Sequence, residues 1–211
     1  MELQGGGMRL PGIVFAPGQA QGPDEDGVGR TVVVLLHQTD GGGRCGWGSF
    51  GNAVAASGMT ALAFDQCGYA GAECSVPDPD DPLPQVRLAL AFARQELGAT
   101  RVVLVGASMG GSRVVRAVAG GARVDAWADI SGPSEFDGVP LAPLAAQITT
   151  PGLVALAADA DGEDEAAAAQ ALAVASGATW VPAEGGHGYT LLTDDGTVLP
   201  VGQQVLELAR G

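Results

Sequence analysis

The sequence predicts an α/β fold in which a predominantly parallel central sheet is covered by helices on both faces. Two observations predict it. Strand-like and helix-like segments alternate from residue 31 to the end, the order that builds strand–helix–strand units. The strand-like segments are near-continuous apolar runs, such as T-V-V-V-L-L at 31–36 and R-V-V-L-V-G at 101–106. Parallel strands buried on both faces read in this way.

Taken in order, the strands are expected at about 12–16, 31–36, 60–64, 101–106, 124–129, 152–158 and 178–182, each a short apolar run bounded by turn residues. The helices are expected at about 47–57, 83–97, 109–120, 141–147, 163–176 and 201–210. On the first of them, Trp47 and Phe50 are expected in the core. The proline-rich, acidic stretch 76–82 is a loop, and the helix after it carries Val86, Leu90, Ala93 and Leu97 at three-to-four spacing. Helix 163–176 opens with Glu163, Asp164 and Glu165, whose charge suits a helix N-terminus. No internal repeat is visible, and 211 residues suit one domain, 1–211, with a sizeable core.

Composition excludes several classes. Hydrophobic content of 46% against 16% charged describes a folded chain rather than a disordered one. The formal net charge is −14, which argues against nucleic acid, anionic membrane surfaces and polyanionic substrates as partners. The acids cluster at 24–26, 78–81, 159–165 and 194–195, which reads as solubility. All 10 basic residues are arginine, so no lysine is present to act as a base or Schiff-base former. Residues 1–7 lack the basic and apolar regions of a signal peptide. No apolar run approaches the roughly 18 residues of a spanning helix. A cytoplasmic location is the expectation. Cys45, Cys67 and Cys74 are an odd set without metal spacing. In the cytoplasm reduced thiols are the default, and Cys67 and Cys74 can close a short loop in a secreted protein. Neither metal nor cofactor is implied.

The chemistry centres on G-A-S-M-G at 106–110. Placed between a buried strand and a helix, G-x-S-x-G is a nucleophile elbow, and it lifts Ser108 to the strand's carboxyl end. A serine hydroxyl is a weak nucleophile and needs a base. The chain has only 2 histidines. His187, in the glycine-flanked loop E-G-G-H-G-Y, is the one downstream of the elbow, as the order serine–acid–histidine requires. The acid is sought at the end of strand 152–158, where Asp159 and Asp161 both stand; Asp161 is preferred because it lies further past the strand, where Gly162 allows the turn. Two oxyanion donors are needed. One is the backbone N–H of Met109, and the other that of Gln38, with Thr39 as the alternative. His37 is expected to brace its loop, and the glycine run 41–43 lets the chain pass close to substrate. Thr39 and Tyr189 are candidate substrate-binding residues, and Cys45 and Cys67 fall where they can line a pocket.

With these residues in place the sequence resembles the α/β-hydrolase family. The matching segments are V-L-L-H-Q-T-D-G-G at 34–42, A-L-A-F-D-Q-C-G-Y-A-G at 61–71, V-L-V-G-A-S-M-G-G at 103–111, L-V-A-L-A-A-D-A-D at 153–161 and G-G-H-G at 185–188. They follow the family's order over nearly the whole chain. The resemblance implies a triad of Ser108, Asp161 and His187, and it independently favours Asp161 over Asp159. It departs from the family at His37-Gln38, where His-Gly is commoner, and at Cys67 in the turn after Asp65. Residues 131–150, where such folds often carry a cap, are too few for one. An open site for small acyl esters or thioesters is therefore expected, acting through an acyl-enzyme. The alternatives are an acyltransferase or other biosynthetic reaction on the same triad, and a non-catalytic ligand-binding member of the fold.

Overall fold

A computed structural model describes residues 1–18, 30–40 and 42–211. The acidic stretch 24–26, and residue 41 of the glycine run, lie outside the described residues. The strands are β1 (Glu2–Gly5), β2 (Met8–Phe15), β3 (Thr31–Leu36), β4 (Thr60–Phe64), β5 (Glu73–Cys74), β6 (Arg101–Ala107), β7 (Ala126–Ile130), β8 (Glu135–Phe136), β9 (Val139–Pro140), β10 (Gly152–Ala157), β11 (Thr179–Ala183), β12 (Thr193–Asp194) and β13 (Thr197–Val198). The helices are α1 (Gly48–Ala56), α2 (Pro82–Gln95), α3 (Met109–Ala119), α4 (Ala142–Ala145), α5 (Ala158–Asp161), α6 (Glu163–Ser176) and α7 (Pro200–Arg210).

The central sheet runs β1-β2-β4-β3-β6-β7-β10-β11. From β4 to β11 neighbouring strands are parallel, while β2 is antiparallel to β4 and β1 is antiparallel to β2. Side chains alternate between two cores. Val32, Val34 and Leu36 of β3 face the layer holding α2, α3, α4 and α6. Val33 and Leu35 face α1 and α7. Trp47 and Phe50 are buried as expected, at 0% and 1% exposure, although Trp47 belongs to the 3-10 turn Gly43–Trp47 that precedes α1.

Strand order reverses beside β3, since the chain passes from β3 to β4 on one side and returns to β6 on the other. The crevice outside the carboxyl ends at such a reversal is where open α/β sheets bind ligands. Residues 131–150 hold only the β8–β9 hairpin and the short α4; among the described residues no cap covers the crevice.

The structure differs from expectation at five places. β2 starts at Met8 rather than near residue 12 and pairs with β1, which the sequence reading passes over. Pro11 and Gly12 obscured an alternation in which Leu3, Met8 and Leu10 are buried. The β8–β9 and β12–β13 hairpins lie where no strand is expected. Each turns on Asp-Gly, with Asp137 at φ 53° and Asp195 at φ 42°, the type favoured in tight hairpins. Residues 158–161 form a helical turn rather than the last residue of a strand and a loop. Finally, Cys67 and Cys74 are joined by a disulfide, with Cα atoms 5.8 Å apart, and only Cys45 is free. Reduced thiols were the default expectation. Disulfides of this kind are commonest in oxidising compartments. No helix among the described residues is long and apolar enough to cross a membrane.

Candidate active site

Ser108 sits between β6 and α3 with φ 50° and ψ −120°, a sparsely populated conformation for a residue with a Cβ. Close packing imposes it. A Cβ built on Gly106 would lie 2.0 Å from the Gly110 carbonyl oxygen, and one on Gly110 would lie 2.1 Å from that of Leu36. Only glycine at both positions lets α3 start directly against the end of β3. The Ser108 N–H is held by the Ile130 carbonyl at 2.7 Å, and its side chain is half-buried at the crevice.

On the neighbouring strand ends, Asp161 and His187 are brought together. Asp161 Oδ1 stands 2.5 Å from His187 Nδ1. The Asp161 side chain is 12% exposed and that of His187 43%. Asp161 Oδ2 is buried and accepts no hydrogen bond from a described residue. Asp159 has a separate job: both its oxygens accept the Gly185 N–H, at 3.1 and 3.0 Å, and this pins the near end of the histidine loop. The far end is held by Ser131, a sequence-remote residue whose buried hydroxyl accepts the Gly188 N–H at 3.1 Å. Gly188 has φ +58°, and a Cβ there would lie 3.5 Å from Ala107 Cβ and within 1.9 Å of Gln38 Oε1. The residue after His187 therefore abuts the residue before Ser108. Among the described residues no hydrogen bond joins the Ser108 hydroxyl to His187.

The loop after β3 departs from expectation at Gln38. Its backbone N–H donates to the Tyr189 hydroxyl at 2.9 Å, so it is not free for an oxyanion. Thr39 is the next backbone donor along the chain, and Met109 N–H opens α3 at the elbow. Tyr189 is correspondingly a strut rather than an open pocket wall. Its ring lies edge-on to Trp47 at 4.8 Å between centroids, and a Cβ on Gly46 would meet it at 2.4 Å. Burial pushes the phenol pKa up, so it stays neutral and can accept. Cys45 remains exposed, while Cys67 is 2% exposed and tied to Cys74.

His37 braces this loop. Its Nε2 accepts the Gln66 N–H at 3.0 Å, so Nδ1 carries the proton and donates to the Gln38 carbonyl at 2.8 Å. The Gln66 side chain closes the loop by donating to the His37 carbonyl at 2.8 Å. Burial pushes the His37 pKa down, which favours this neutral form. Beyond it, Arg113 of α3 is fully buried beneath Tyr69 and Phe136, with its guanidinium carbon 5.3 and 5.9 Å from the two ring centroids.

The sequence reading missed Asp129, although an aspartate inside the apolar run A-W-A-D-I was the available signal. Asp129 faces Gly106 in the β6–β7 register and is 1% exposed. Its Oδ1 accepts the Gly132 N–H at 2.9 Å, and a Cβ on Gly111 would come within 2.0 Å of that oxygen. Burial raises its pKa to about 7. The folded pKa lies above the ordinary carboxylate value, so the fold favours the neutral acid. Its contribution to stability is whole at low pH and is lost as pH rises through about 7. Urea unfolding from pH 4 to 8 should show the advantage of the wild type over Asp129→Asn shrinking with pH, by at most about 1.4 kcal/mol per unit. A difference that grows with pH would contradict this.

Among the described residues no group of histidine, cysteine, aspartate and glutamate is arranged to hold a metal ion. No protein-family model and no curated protein matches the chain in sequence. Solved structures do match. The proline iminopeptidase of Mycobacterium smegmatis aligns with a TM-score of 0.75 at 13% identity over 100% of this chain and 98% of its own. Est1E from Butyrivibrio proteoclasticus, in a structure with ferulic acid bound, gives 0.70 at 14% identity, over 100% and 96% of the two chains. The enol-lactonase from Burkholderia xenovorans LB400 gives 0.66 at 15% identity, over 96% and 95%. At such identities the likeness is one of fold.

Proposed function

From the α/β-hydrolase fold that this chain shares with those structures, we propose that it is a serine hydrolase cleaving carboxylic esters or thioesters of small acyl groups. One juxtaposition carries the reading: a serine held at φ 50° on a glycine-flanked elbow, with His187, paired to Asp161, in the loop packed against it.

In this mechanism Ser108 attacks the acyl carbonyl while His187 Nε2 takes its proton. Asp161 holds Nδ1–H, which fixes the tautomer that leaves Nε2 free to accept, and it stabilises the imidazolium once formed. The tetrahedral oxyanion is held by the N–H groups of Met109 and Thr39. His187 returns the proton to the leaving group, and water then opens the acyl-enzyme with His187 as base again. The Ser108–His187 hydrogen bond forms with substrate in place; such contacts are commonly long or misaligned without it. The short connection 131–150, which holds only the β8–β9 hairpin and α4, favours small, accessible acyl esters over long lipids enclosed in a tunnel.

A fluorophosphonate should label the intact protein once, on the peptide containing Ser108. p-Nitrophenyl esters from acetate to octanoate should be turned over, with the optimum at the short end. A folded protein that neither labels nor turns over any ester would rule the proposal out.

A further inference from the structure

The histidine loop contains Gly185, Gly186 and Gly188 around His187, and glycine-rich chain is costly to hold in one conformation. Something must set that loop against the oxyanion loop, because the base and the oxyanion donors act on the same carbonyl. The structure contains a reciprocal contact between the two loops. The Gln38 N–H donates to the Tyr189 hydroxyl at 2.9 Å, and the Tyr189 N–H donates to Gln38 Oε1 at 3.2 Å. The partners are 151 positions apart in sequence. Gln38 Nε2 donates to Asp40 Oδ2 at 3.1 Å, which orients the amide so that Oε1 points at Tyr189. Tyr189 is wedged against Trp47, itself fully buried, and against Gly46. Both ends of the contact are thereby anchored in packed structure.

We propose that Gln38 and Tyr189 form a two-point latch that fixes the histidine loop relative to the oxyanion loop, which makes them positioning residues for acyl transfer to water. The inference rests on the hydrolase reading above. It also gives a physical role to glutamine where His-Gly is the commoner pattern: glycine supplies the backbone donor but no Oε1. The hydrogen bonds of the latch join Gln38, Tyr189 and Asp40 and do not involve Ser108. It acts by keeping His187, two residues before Tyr189, in register with the Thr39 and Met109 donors.

The test uses Gln38→Met, which removes the acceptor at similar volume, Tyr189→Phe, which removes the other, and the double variant. Each single change should lower kcat roughly 10- to 100-fold with KM within about threefold, because a displacement of about 1 Å costs this much in orientation. The double variant should cost little more than either single one, since both break the same unit. Exchanging the pair as Gln38→Glu with Asp40→Asn keeps the acceptor and its orienting hydrogen bond, and should recover most of the lost kcat. Variants that lose melting temperature but keep kcat would overturn the latch and reduce the contact to packing. A labelled, active wild type whose variants keep kcat defeats this inference alone. A wild type that no fluorophosphonate labels defeats the hydrolase reading and this inference with it.

Discussion

Replacing Ser108 by alanine should lower kcat on a short p-nitrophenyl ester by about 10⁴- to 10⁶-fold and abolish fluorophosphonate labelling, while thermal unfolding stays close to wild type. The size follows from the proposed mechanism. Without the hydroxyl no acyl-enzyme forms, and only binding and the oxyanion donors remain to assist water. Neighbouring hydroxyls cannot substitute. Ser112 is fully buried and donates to the Pro133 carbonyl at 2.9 Å. Ser131 is 2% exposed and occupied by the Gly188 N–H. The fold should tolerate the change because alanine keeps a Cβ at the same positive φ, and the glycines that shape the turn are untouched. A variant retaining activity within tenfold of wild type would remove Ser108 from the mechanism.

How much of this was legible follows from whether a feature is set locally. The elbow was legible because the turn from β6 into α3 must pack closely on itself and against the end of β3, and that constraint puts glycine at fixed offsets from Ser108. The parallel strands were legible because burial on both faces forces continuous apolar runs. That Asp161 is the aspartate lying against His187 was legible from its distance past β10, though not the contact of Asp159 with Gly185, since one strand end supplied both. The partner of the Gln38 N–H was invisible. Nothing near residue 38 announces a tyrosine hydroxyl that arrives from residue 189, and for that reason the proposed mechanism uses Thr39 as the second oxyanion donor. Asp129 was visible and overlooked as a polar residue in an apolar strand. The two Asp-Gly hairpins were equally visible, but strands of two residues show no alternation to corroborate the turn. The Cys67–Cys74 bond was legible only as an option for a secreted chain, because reduced thiols are the default where a cytoplasmic location is expected. Folding brings β5 alongside β2, with Cys74 opposite Met8, and no sequence count conveys that proximity.

The second large effect separates the two aspartates. Asp161→Asn should lower kcat by about 10⁴-fold near neutral pH, and Asp159→Asn by less than about tenfold. At position 161 the carboxylate faces Nδ1 from 2.5 Å. An amide there can present an N–H to that nitrogen, which places the imidazole proton on Nε2 and leaves it unable to accept from Ser108. It also removes the charge that stabilises the imidazolium. At position 159 the carboxylate accepts the Gly185 N–H; an amide oxygen accepts the same bond, so the loop keeps its anchor. The pair of variants must be compared by kcat at matched folding, with circular dichroism and melting temperature alongside. If Asp159→Asn proved the more damaging, the acid would be Asp159, and the 2.5 Å contact would be a resting arrangement that substrate binding replaces. If both were mild, His187 would not depend on a carboxylate, and the triad mechanism would give way to one in which the imidazole is oriented by its loop alone.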